Sequence, residues 1–89
     1  MANTATNIIN VNFKNENDIN PFLKEFEKNL YICNDPEPEE GYTNLMIEFE
    51  SKWSEPEELL KKLVTKYNCT IIGVCYEFGC NYINSFKYE

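Results

Sequence analysis

Two helical stripes interrupt a chain that otherwise alternates. Ile19, Phe22, Leu23, Phe26 and Leu30 recur at helical spacing, and so do Leu59, Leu60, Leu63, Val64 and Tyr67. Each stripe leaves the opposite side of its helix polar, so each helix must bury one side against another element. Around them the period changes to two. Ile9, Val11 and Phe13 alternate with Asn10 and Asn12, and Leu45, Ile47 and Phe49 alternate with Met46, Glu48 and Glu50. These are half-buried strands over Asn7–Phe13 and Tyr42–Ser51. One-sided helices and one-sided strands in 89 residues have an economical solution, in which both helices pack on one face of an antiparallel sheet.

Punctuation refines the picture. Asp18 or Asn20 caps the first helix, and Pro21 falls in its first turn, where a missing N–H does no harm. Ser54 and Glu57 read as a capping box opening the second helix, and Glu55, Glu57 and Glu58 complement the positive end of its dipole. Tyr31–Cys33 reads as a short strand. Cys69–Glu77 is a β-rich run with Ile72, Val74 and Tyr76 on one face; Phe78-Gly79 turns the chain, and Tyr82–Tyr88 returns as a last strand. The order predicts an α+β, ferredoxin-like sandwich, an antiparallel sheet of four to five strands with two helices on one face. Residues 1–89 make a single domain, broken by an acidic, Pro-rich loop at 34–41.

Charge is the second constraint. The net charge is −7, and nine of the fifteen acidic residues lie between Asp35 and Glu58, where Lys52 is the only base. Such a field attracts cations and basic protein surfaces, and it repels nucleic acid and anionic membranes. The acids come from three elements. Asp35, Glu37, Glu39 and Glu40 lie in the loop, Glu48 and Glu50 on the outer side of a strand, and Glu55, Glu57 and Glu58 at a helix start. Tyr42, Met46 and Trp53 lie among them as apolar anchors suited to an interface. Alternate outward positions on a strand lie about 7 Å apart, close to the roughly 6–7 Å between successive phosphates of a nucleic-acid strand. The same loop can serve solubility alone, and Trp53 can seal a strand–helix junction.

Phe49-Glu50-Ser51-Lys52-Trp53-Ser54-Glu55-Pro56, followed by a helix and then Tyr76-Glu77-Phe78-Gly79, resembles the YubB ferredoxin-like family of small proteins carried by phages and plasmids. Members show a strand ending in Trp-Ser-Pro-Pro, a short helix, and a strand ending in Tyr-x-Glu-x-Gly. Here Glu55 replaces the first proline, and the Tyr-Glu pair is adjacent. The resemblance covers roughly the second half of the chain and implies a fold and a mobile-element origin; it transfers no reaction.

Little else suggests chemistry. There is no histidine or arginine, and the three glycines are isolated, which removes the usual general base near neutral pH, the bidentate phosphate clamp and a phosphate loop. No enzyme activity, cofactor or metal is expected. Cys33, Cys69, Cys75 and Cys80 form no Cys-x-x-Cys pair for zinc, and the loop lacks the spacing of a calcium-binding EF-hand. Met1–Asn7 has neither the basic start nor the apolar core of a leader, so a bacterial cytoplasm and reduced thiols are expected. A disulfide between Cys75 and Cys80 across the last hairpin is the minority alternative.

The expected function is binding. The acidic side would compete with DNA or RNA for the basic surface of a larger host protein, as an anti-CRISPR inhibitor of a CRISPR effector or another nucleic-acid-binding defence complex would. The partner-binding residues are Asp35, Glu37, Glu39, Glu40, Tyr42, Glu48, Glu50, Trp53, Glu55, Glu57 and Glu58, with no direct contact to nucleic acid or membrane. The alternatives are a dimeric protein binding a nucleotide signal, and a non-inhibitory assembly module of the mobile element. Monomer and homodimer both remain open, and the last strand is an exposed edge able to add a strand.

Overall fold

In the computed structural model, which describes residues 4–89, the first strand, β1 (Thr4–Phe13), begins earlier than the alternation predicts. Met1–Asn3, on which the leader reading partly rests, lie outside the described residues. A 3-10 turn (Glu16–Asp18) leads into α1 (Ile19–Asn29), a two-residue β2 (Tyr31–Ile32), β3 (Asn44–Lys52) and α2 (Glu57–Tyr67). Then β4 (Cys69–Glu77), a second 3-10 turn (Phe78–Cys80) and β5 (Tyr82–Tyr88) complete the chain. The strands form one antiparallel sheet in the order β2-β3-β1-β4-β5. This is the expected ferredoxin-like sandwich, with β5 appended beside β4.

The core lies between the sheet and the helices. Ile9, Val11 and Phe13 of β1, Leu45, Ile47 and Phe49 of β3, and Ile71 of β4 meet Phe22 and Phe26 of α1 and Leu60 and Leu63 of α2. Aromatic rings set the spacing. Phe13 meets Phe22 edge-on at 5.1 Å, and Phe26 meets Phe49 at 4.9 Å, the geometry aromatic quadrupoles favour.

The helix starts differ from the sequence reading. Asp18 does stand at the N-cap of α1, but its side chain makes no cap bond; Asn15 instead accepts from the Asn17 N–H and caps the preceding 3-10 turn. The capping box at Ser54 does not form. The Glu57 N–H donates to the Glu55 carbonyl at 2.9 Å, α2 begins at Glu57 behind Pro56, and the Ser54 carbonyl accepts from Ser51 Oγ. The Glu55 side chain is drawn away to β5, so this segment crosses to the sheet before turning helical. Asn68 ends α2 in the left-handed region at φ 52°, which asparagine tolerates. Cys75 and Cys80 do not face each other: Cys75 is buried on the helix side and registers with Asn84, while Cys80 sits in the exposed turn. Among the described residues, no helix is long and apolar enough to cross a membrane.

Candidate interaction surface

Both helices cover the same face of the sheet, so the other face is open. Along β3 this face carries Met46, Glu48 and Glu50, and along β4 it carries Ile72, Val74 and Tyr76. The register places Glu48 beside Ile8, which lies beside Val74, and Met46 beside Asn10, which lies beside Ile72. A carboxylate column therefore borders an apolar strip on one surface. Met46 is 58% exposed, an apolar side chain near the start of β3, beyond the two residues that pair with β2.

The acidic loop lies between β2 and β3 and is fastened at three points. Asn34 Nδ2 donates to the Met46 carbonyl at 3.1 Å, and Asn34 Oδ1 accepts from the Glu48 N–H at 3.0 Å. The Gly41 N–H donates to Glu16 Oε2, and the Phe13 N–H donates to the Thr43 carbonyl. Gly41 adopts φ 86°, a conformation that costs glycine little. Asp35, Glu37, Glu39 and Glu40 remain exposed. With Tyr42 and Met46, three of these acids line a shallow hollow of about 620 Å³ that opens onto the start of β3. The loop therefore adjoins the open face, and Glu16 adds a carboxylate there that sequence spacing does not reveal.

The other predicted residues lie elsewhere. Trp53, at φ 68° and 51% exposed, occupies the turn after β3. Glu55 turns to the helix side, where its Oε1 accepts from the Tyr82 hydroxyl at 2.6 Å and its Oε2 from Asn84 Nδ2 at 2.7 Å. Glu57 pairs with Lys61 at 2.7 Å, and Glu58 is exposed on the first turn of α2. The structure thus joins the loop acids to Glu48 and Glu50. It sets Glu57 and Glu58 apart on α2, beyond the other end of β3, and Glu55 lines a second hollow there with Glu50 while its carboxylate is held by Tyr82 and Asn84.

Electrostatics agree with this division. Partial burial raises the Cys33 pKa, and the carboxylates of Glu50 and Glu48 raise it further, as a concentrated negative field requires. Around Glu55, burial works to raise the carboxyl pKa, but hydrogen bonds from Tyr82, its own backbone and Asn84 outweigh it and hold it below the usual value. The same bond, with burial behind it, pushes Tyr82 up to about 12. Burial drives the thiols of Cys69 and Cys75 up to about 11, which leaves both as poor nucleophiles. Lys61, Lys66 and Lys87 pair with Glu57, Glu25 and Glu89.

Residues 28–87 match the family model described as the ferredoxin-like domain in Api92-like protein. The chain belongs to that family. Neither the curated proteins nor the solved structures contain a match. The Api92-like match includes both segments behind the YubB resemblance, Phe49–Pro56 and Tyr76–Gly79, and it establishes the ferredoxin-like family without the YubB name. Within this Api92-like domain, the match runs from the end of α1 through β5, so it takes in the acidic loop and β3. The central strand, β1, lies before it.

Proposed function

We propose that this chain is a non-catalytic binding protein whose acidic loop and β3 carboxylates together engage a basic surface on a larger protein. One observation carries the reading. Among the described residues, Asp35, Glu37, Glu39, Glu40, Glu48 and Glu50 form no salt bridge, whereas Glu25, Glu57 and Glu89 each do. Six carboxylates concentrated on a fastened loop and one rigid strand repel one another and gain most from external cations. Met46 and Tyr42 beside them supply desolvated contact area, which turns charge attraction into a specific interface.

The finer version concerns the partner. A surface evolved to hold DNA or RNA is rich in lysine and arginine, and a fixed column of carboxylates can occupy it in place of phosphates. The YubB likeness supports a mobile-element protein, so the sharpest form is an inhibitor of a host defence complex of the anti-CRISPR kind. Tagged protein would be used to capture partners from nuclease-treated bacterial lysate at low and high salt. The expected result is a nucleic-acid-binding protein recovered only at low salt. Combined Glu37→Lys, Glu48→Lys and Glu50→Lys should abolish that capture, and Glu57→Lys should leave it intact. Capture that ignores salt, or that survives the triple change, would refute the reading.

A further inference from the structure

We propose that two copies of this chain associate edge to edge through β5, forming one continuous sheet. The two sheet edges are not alike. On the β2 side the strand has only two residues. Beyond it, the Cys33 N–H donates to the Glu48 carbonyl, while the Asn34 side chain takes up the Met46 carbonyl and the Glu48 N–H. Pro36, Pro38 and four acids follow, so this edge is sealed by side-chain bonds, prolines and charge. Short strands, prolines and charges are how natural sheets block edge pairing. β5 has none of these along most of its length. It runs seven residues without proline or bulge, and its single charge is Lys87, next to its last residue. Ile83 is 68% exposed at this edge.

Charge selects the same edge. Two molecules of net charge −7 repel, so they can meet only where acid is scarce. The sheet order puts β1 and β4 between β3 and β5, about 14 Å at the usual strand spacing of about 4.8 Å. From Phe78 to Tyr88 the chain has no acid. The carboxylates nearest β5 are already engaged: Glu77, opposite Tyr82, by the Gly79 and Cys80 N–H groups, Glu55 by Tyr82 and Asn84, Glu57 by Lys61, and Glu89 by Lys87. Pairing through β5 therefore joins two nearly neutral edges and holds the acidic edges at opposite ends of the assembly.

An antiparallel pairing centred on Ser85 is chemically consistent. It sets Tyr82 opposite Tyr88 of the second copy, Asn84 opposite Phe86, and Ile83 opposite Lys87, with no like charges facing. Tyr82, Phe86 and Tyr88 are half-buried on the helix side, so pairing would extend an aromatic surface already begun by the Phe86–Tyr88 stack at 5.2 Å. The dimer is independent of the partner reading. If both hold, the protein presents two acidic edges at once and gains avidity for a basic target.

Sedimentation velocity over a wide concentration range, at low and high salt, tests the proposal. The expected mass is twice the 10.5 kDa of the chain, and salt should tighten the dimer because it screens like-charge repulsion; salt weakens capture of a basic partner, so the two readings fail separately. The double variant Ile83→Lys, Ser85→Lys should raise the dissociation constant about tenfold or more, because like charges facing across strands oppose pairing. Its circular dichroism should be unchanged. If that variant does not fold, amide exchange in the unaltered protein decides, with amides of Tyr82–Tyr88 slowing as concentration rises. A single-chain mass throughout, a dimer that the folded double variant leaves intact, or β5 amides that exchange equally in monomer and dimer would each overturn it.

Discussion

Replacing Tyr82 with phenylalanine removes one hydroxyl and leaves the ring, so its effect isolates the bond to Glu55. That hydroxyl lies 2.6 Å from Oε1 and 3.3 Å from Oε2 of the carboxylate, within reach of a charge-assisted bond. The displacement of Tyr82 from 10.0 to about 12 corresponds to roughly 2.7 kcal/mol at ~1.36 kcal/mol per unit. Solvent reaches the pair, and screening reduces this to about 1.5 kcal/mol, at the low end for a hydrogen bond to a charged group. In a chain of 89 residues that loss should lower Tm by about 6–12 °C.

The pH dependence is more diagnostic than the size. Glu55 has a folded pKa below its ordinary value, so its contribution is present above about pH 4.5 and is lost as pH falls through the folded pKa. Tyr82 has a raised folded pKa, so its contribution is complete below pH 10 and disappears between 10 and about 12. The difference in stability between wild type and Tyr82→Phe, measured by urea denaturation across this range, should form a plateau that falls at both ends. Tyr67, Tyr88, Cys69 and Cys75 also have raised pKa values, but both proteins share them and they largely cancel. A difference below about 0.3 kcal/mol, well under the usual worth of a hydrogen bond, or one that stays flat from pH 8 to 12, would refute the reasoning.

Two further changes probe the packing. A methyl group on Gly73 would lie 2.5 Å from Ile9 Cγ2, 2.8 Å from Phe86 Cζ and 2.9 Å from the Ile8 carbonyl, so Gly73→Ala should cost about 2–3 kcal/mol by overpacking in urea denaturation. Adding Phe86→Leu should recover part of that loss. In the native protein, Cys33 and Cys80 are exposed and Cys69 and Cys75 buried, so timed alkylation at pH 8 followed by peptide mapping should label the first two at least about tenfold faster.

The strands and both helical stripes were legible because their periods are sharp and their apolar residues large. β4 and β5 begin and end where the alternation places them. Thr4–Thr6 was not legible, since a lone alanine between threonines gives little alternation; Ala5 is buried where β1 still pairs with Ser51 of β3. Ser54-Glu55-Pro56-Glu57 satisfies a capping pattern locally, yet Tyr82 and Asn84 offer Glu55 better partners 27 and 29 residues away. A pattern confined to four residues cannot register that competition. Asn34 illustrates the same limit. Its side chain completes the edge of β3, and nothing in its sequence neighbourhood distinguishes it from a turn residue.

The same limit decides how the acidic segment should be understood. Along the sequence, the acids from Asp35 to Glu58 form one run, but β3 passes through the middle of it. Nine strand residues span about 27 Å at ~3.4 Å each, several times the Debye length of about 8 Å at physiological salt. Loop acids and the α2 acids Glu57 and Glu58 therefore act as separate groups, with Glu48 and Glu50 of β3 between them and the Glu55 carboxylate beside Glu50 engaged by Tyr82 and Asn84. If the run behaved as one patch, reversing charge at Glu37 and at Glu57 would weaken a basic partner equally. On the proposed reading they are unequal, because Glu57 lies on α2 and already has Lys61 at 2.7 Å. A capture experiment that found the two positions interchangeable would mean that net charge alone governs binding and that the arrangement on β3 contributes nothing.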